Sequence, residues 1–170
     1  DRDGQLINLT IDYAFNDRWS LKSITSSQSM DRFLRDDLDS TDANLFGQNN
    51  YTEESDSFGQ ELIVNYSSNR LDVLSGVMYF EEELYGEVRV PLTNLCFLLA
   101  PEACGTPVGD FLNGGNYLQD GDVDIEAWGA YVEANYSISD KWSLIAGLRY
   151  NYEERDGTGS FIFDAISLNV

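Results

Sequence analysis

The residues able to do chemistry in this chain are carboxylates. There are 30 acids against 10 bases and no histidine, for a formal charge of -20. Without histidine there is no Ser/His/Asp or Cys/His constellation, no His-ligated zinc and no imidazole acid–base pair. Paired carboxylates remain the right groups for glycoside hydrolysis or for calcium. Asp36, Asp37, Asp39 and Asp42 cluster in an aperiodic stretch. They are expected to be a solvated acidic loop, with a divalent-cation site as the alternative. Asp120-Gly121-Asp122-Val123-Asp124-Ile125-Glu126 carries an acid at every second position. If extended, those acids would line one edge and could chelate a cation, but they lack the spacing of the helix–loop–helix calcium motif. A solvated loop rim is expected there. Nothing places one pair in a cleft, so no enzyme, cofactor or resident metal is expected. The negative field also opposes nucleic-acid phosphates.

Three other sets stand out. Cys96 and Cys104 lie close together in a loop-like stretch and are expected to pair in an oxidising compartment, with free thiols as the alternative. Glu133 and Arg149 sit on the polar faces of two strands, at about equal distance from the Ser139–Lys141 turn. They are expected to lie across from each other as a wall pair, with contact to a lumen plug or a solute as the alternative. Lys22 and Glu61 are weaker candidates of the same kind.

The elements that position these residues are strands. Tyr13-Ala14-Phe15-Asn16-Asp17-Arg18-Trp19-Ser20-Leu21 is echoed by Tyr136-Ser137-Ile138-Ser139-Asp140-Lys141-Trp142-Ser143-Leu144. Each reads as a tight polar turn between alternating strands. Tyr13, Phe15, Trp19, Tyr136 and Trp142 stand beside these turns, where a membrane β-barrel places its interfacial aromatics. Strict alternation begins at Ile7, and a second strand runs from Trp19 to about Thr25. Others cover Phe58–Tyr66, about Leu71–Leu84 with its register open, Trp128–Tyr136 and Trp142–Glu153. Asp31 to about Thr52, Gly86 to about Asp124 and Glu154–Gly159 read as loops. Leu95–Ala100 is expected to be a short helix, and Phe161–Phe163 with Ile166–Val170 a further strand or folded loop. Asp1–Gly4 reads as a polar loop rather than a leader, so a mature, trimmed or excerpted chain is expected.

No apolar run approaches the ~18 residues of a membrane helix, whereas a barrel strand needs only ~9–11. Short turns at one set of strand ends and long loops at the other complete the expectation. It is an all-β fold: an antiparallel transmembrane β-barrel wall segment of about six strands, with short periplasmic turns and long extracellular loops.

Trp19-Ser-Leu-Lys-Ser-Ile-Thr25, Phe58-Gly-Gln-Glu-Leu62, Arg70-Leu-Asp-Val-Leu-Ser-Gly76 through Glu82, and Trp142-Ser-Leu-Ile-Ala-Gly-Leu-Arg-Tyr150 with Glu153-Glu154 resemble the barrel of TonB-dependent outer-membrane receptors. The resemblance covers about Leu6 to Arg155. One departure is Ser27, where the family often has Tyr, which thins the outward aromatic face of the second strand. The resemblance implies that residues 1–170 are part of a barrel of about 22 strands, with the plug domain, the TonB box and the remaining strands outside this sequence. It implies a Gram-negative outer-membrane location, contact with outer-membrane lipid, and coupling to the TonB complex through parts not in this chain. The cargo would be a scarce small-molecule solute such as a ferric siderophore. The alternatives are a passive porin-like barrel and a soluble acidic all-β carbohydrate-binding module.

Overall fold

The computed structural model describes residues 1–38, 40 and 46–164. Its strands are β1 (Arg2–Ala14), β2 (Trp19–Asp37), β3 (Gln48–Ser67), β4 (Leu71–Leu92), β5 (Gly115–Ser139) and β6 (Trp142–Asp164). They form one antiparallel sheet in sequence order, a meander that needs no crossover. Between β4 and β5 lie two short helices, α1 (Leu95–Leu99) and α2 (Pro107–Leu112), with a single 3-10 turn at Pro101–Ala103 between them.

The three short turns are held by their own polar side chains. Asn16 Oδ1 accepts from the backbone N–H of Arg18 (2.9 Å) and of Trp19 (3.1 Å), the local bonding that makes Asn a turn former. Ser68 Oγ accepts from the N–H of Leu71 at 3.2 Å. Ser139 Oγ does the same for Lys141 at 3.4 Å, beside a register shift between Ser137 and Ser139. Successive turns step along the sheet: Trp19 pairs with Tyr66 while β3 runs on to Ser67, and Leu71 pairs with Tyr136 while β5 runs on to Ser139. That stagger is what tilted strands in a barrel wall require.

The strands are longer than alternation predicts. Much of Asp31–Thr52 is not loop: β2 continues to Asp37, β3 starts at Gln48, and Phe33 pairs with Thr52. Gly86–Leu92 pair with Gly115–Gly121 as the upper ends of β4 and β5, and Asp122–Asp124 pair with Glu83–Tyr85. Glu154–Gly159 and Phe161–Phe163 continue β6, and Arg2–Gly4 pair with Met30–Arg32. The physical reason is that backbone pairing needs no hydrophobic alternation. Where both faces meet water the alternation stops and the ladder goes on. The helix expected at Leu95–Ala100 is α1. The register of β4, open in the sequence, places Leu71, Val73, Val77 and Tyr79 on one face. Asp39, Asp42 and Ile166–Val170 lie outside the described residues.

The sheet has almost no core of its own. Among the described residues only Val90, Leu92 and Cys96 are buried hydrophobics, all at the long-loop end. Large apolar side chains elsewhere are open, with Leu148 75% and Trp142 73% exposed. β1 and β6 each have an unpaired edge. Six strands are fewer than the ~8 of the smallest closed barrels.

Candidate functional site: a two-faced wall and its upper rim

Register sorts the side chains into two faces, because directly opposed residues in a ladder point to the same side. One face carries Ile7, Leu9, Ile11 and Tyr13 of β1, Trp19 and Leu21 of β2, and Leu62, Val64 and Tyr66 of β3. It continues through Leu71, Val73 and Val77 of β4, Val132 and Tyr136 of β5, and Leu144, Leu148 and Tyr150 of β6. Two aromatic rows bound this apolar band. The lower one holds the residues singled out from the sequence. Tyr13 and Phe15 pack edge to face with ring centroids 4.9 Å apart, Trp19 packs on Tyr66 at 4.7 Å, and Tyr136 and Trp142 stand exposed further along.

The upper row was not anticipated: Tyr79, Trp128 and Tyr152 are successive partners across β4, β5 and β6, with Tyr79 and Trp128 rings 4.9 Å apart. Its sequence signal is an aromatic that closes each alternating run at the end away from the turn. From Trp142 to Tyr152 the strand rises about 33 Å at about 3.3 Å per residue. With a tilt of about 40° that is an apolar belt about 25 Å tall, the height expected of a barrel's lipid-facing band.

Above the upper row the same face turns acidic. Glu81, Glu126 and Glu154 are direct cross-strand partners, and so are Asp56, Glu83, Asp124 and Asp156 one step higher. The Asp120–Glu126 acids are therefore an outward strand face, not a loop rim. Among the described residues no group of three or more acids converges to hold a metal ion. Asp36 and Asp37 end β2, with Asp36 opposite Asn49.

The other face is the polar one. It presents Asn8, Asp12, Lys22, Gln28, Glu61, Asn65, Glu133, Asn135, Arg149, Asn151 and Glu153 in register-matched rows. Glu133 and Arg149 share this face but are not opposed: Glu133 faces Gly147, and Arg149 faces Tyr131. The pairing is symmetric about Asp140, which Glu133 precedes by seven residues and Arg149 follows by nine, so the two stand two residues out of register. Arg149 instead lies over the Tyr131 ring at 5.8 Å, donates to Asn151 Oδ1 at 2.9 Å, and reaches Met78 Sδ at 3.4 Å. Glu61 accepts the Tyr131 hydroxyl at 2.9 Å. Lys22 pairs with Asp12 at 3.4 Å.

At the long-loop end Cys96 and Cys104 are joined by a disulfide, with Cα atoms 5.5 Å apart. Asn113 knits this loop: its Oδ1 accepts from the Cys96 N–H at 3.1 Å. The Thr106 side chain caps α2 by accepting from Gly109 N–H at 3.3 Å. The loop returns to the sheet where Gly114 N–H donates to Leu92 C=O at 2.7 Å.

A staggered antiparallel sheet with an apolar belt between aromatic rows on one face and a polar opposite face is a sector of a transmembrane β-barrel wall. The model of the TonB-dependent receptor-like β-barrel family matches residues 1–167, and the chain belongs to that family of outer-membrane receptor barrels. Among solved structures, the ferric yersiniabactin uptake receptor FyuA from Yersinia pestis is similar at a TM-score of 0.69 and 13% identity. The match covers 96% of this chain and 24% of that receptor, so the chain spans about a quarter of its length. No curated protein sequence matches the chain.

Proposed function

We propose that residues 1–170 are one sector of the barrel of an outer-membrane receptor that takes up a scarce solute, such as a ferric siderophore, with energy delivered through the TonB complex. The observation that carries this reading is the apolar belt between two aromatic rows, on strands that continue well above it into long loops. Lipid covers the belt, the polar face lines the lumen, and the disulfide-closed segment between β4 and β5 stands on the side from which a solute arrives. The other parts of the barrel, a plug and the TonB-recruiting segment belong to the rest of the receptor. A ferric siderophore as cargo is supported by the likeness to a receptor for ferric yersiniabactin and by family membership.

A soluble carbohydrate-binding module fits less well, because Trp142, Leu148 and Tyr150 stay open with no second sheet among the described residues to cover them. The test uses the full-length receptor in its host, supplied with a panel of radioiron-loaded siderophores. Uptake of one of them should vanish when either the receptor or TonB is deleted. Uptake that survives loss of TonB, with an open-channel conductance in planar bilayers, would establish the passive porin instead.

A further inference from the structure

On the polar face, three strands build a seat around Arg149. Tyr131 lies flat across β4, and a Cβ on Gly76 would sit 2.6 Å from the Tyr131 ring and hydroxyl. Likewise a Cβ on Gly129 would sit 2.6 Å from Met78 Cγ. Two glycines in strand interiors, where they weaken a sheet, thus clear the floor for one ring and one thioether. The Tyr131 hydroxyl reaches over to Glu61, two strands away, which fixes the ring. Arg149 then lies over that ring, with Nε donating to Asn151 and Nη2 against the Met78 sulfur. This holds the guanidinium in place while its remaining N–H groups stay free, and the planar fork matches a carboxylate.

No described residue of this sector supplies the counter-charge, and the guanidinium leans over Tyr131 of β5 towards Met78 of β4, away from the open edge of β6. Lys22 pairs with Asp12, Arg32 with Glu53 and Arg155 with Glu153. Arg149 has no carboxylate within ion-pair reach among the described residues, in a chain with 30 acids. It also stands between the heights of the two aromatic rows, below the loop rim. A fixed charge at membrane depth on a lumen-facing surface marks a partner, and wide transporter barrels hold a plugged lumen rather than open water.

We propose that Arg149, seated on Tyr131, is the wall half of a salt bridge whose carboxylate comes from the protein segment filling the lumen of the complete receptor. This rests on the receptor reading above.

The test places Arg149→Lys in the full-length receptor and treats outer membranes with a water-soluble carbodiimide, which joins a lysine amine to an adjacent carboxylate as an amide. Peptide mapping then locates the links. The Lys22–Asp12 pair is the internal standard and should link in every sample. The lysine introduced at position 149 should link to an Asp or Glu of the segment that fills the lumen, and Arg149→Gln should lose that link entirely. Linkage only to Glu61, Glu133 or Glu153, or to a carboxylate on another strand of the barrel, would overturn the proposal. So would no link at position 149 while Lys22 and Asp12 link normally, the outcome expected if Arg149 meets a diffusing anionic solute. Failure of the wild-type receptor to fractionate with the outer membrane would instead remove the receptor reading, and this proposal with it.

Discussion

The lower and upper halves of β5 are one continuous strand with two different surroundings. From Trp128 to Tyr136 its outward residues are Trp, Ala, Val, Ala and Tyr; from Asp120 to Glu126 they are Asp, Asp, Asp and Glu. The backbone ladder to β4 and β6 does not change between them. What changes is the medium against the outward face: hydrocarbon below the Tyr79–Trp128–Tyr152 row and water above it. The strand is therefore set by pairing, and the alternation of residue types is set by lipid.

Moving charge between the two halves should have unequal effects. Leu148→Arg puts a guanidinium on the outward face in the middle of the belt. It should destabilise the receptor by about 2–4 kcal/mol, while Glu126→Arg above the belt, a cation set between Glu81 and Glu154, should not destabilise it. Urea titration of the receptor refolded into lipid vesicles measures both, and equal costs would sink the distinction.

Cutting the loop clamp should act on the upper end alone. Cys104→Ser removes a constraint across a separation of 8 residues, about 2–3 kcal/mol by chain-entropy reasoning. The expected outcome is faster protease cleavage between residues 93 and 114, with the heat stability of the barrel unchanged.

On the lumen side, Gly76→Val forces the Tyr131 ring off β4 and breaks its bond to Glu61. The expected cost is about 1–3 kcal/mol, as for other overpacked sites, and Tyr131→Ala in the same protein should recover part of it. The smallest effect should have the opposite sign. Glu126→Gln relieves a like charge between Glu81 and Glu154 and should stabilise by about half a kcal/mol. That gain should shrink in high salt.

These contrasts also explain what was legible in the sequence. The six strands, the three tight turns and the lower aromatic row are visible because lipid contact writes a two-residue period into Ile7–Tyr13, Trp128–Tyr136 and Trp142–Tyr152. The upper strand ends were hidden because Asp31–Asp37, Glu87–Leu92 and Asp120–Glu126 meet water and lose that period while still pairing. The seat around Arg149 was hidden for a different reason. Residue type points to Glu133 as its partner, but partner choice depends on register, and pairing centred on Asp140 sets Arg149 opposite Tyr131 and Glu133 opposite Gly147. Gly76 and Gly129 carried a readable signal, since glycine inside a strand marks a close approach, although the approaching side chain is fixed only by the fold.

The outward face between Trp142 and Tyr152 touches lipid. Nitroxide labels at Leu148→Cys and Glu126→Cys, each in the full-length receptor in bilayers, test it through collisions with oxygen and with a water-soluble nickel chelate. The label at position 148 should favour oxygen strongly and the label at 126 should favour the chelate. A label at 148 that meets the nickel chelate as readily as the one at 126 would contradict the account.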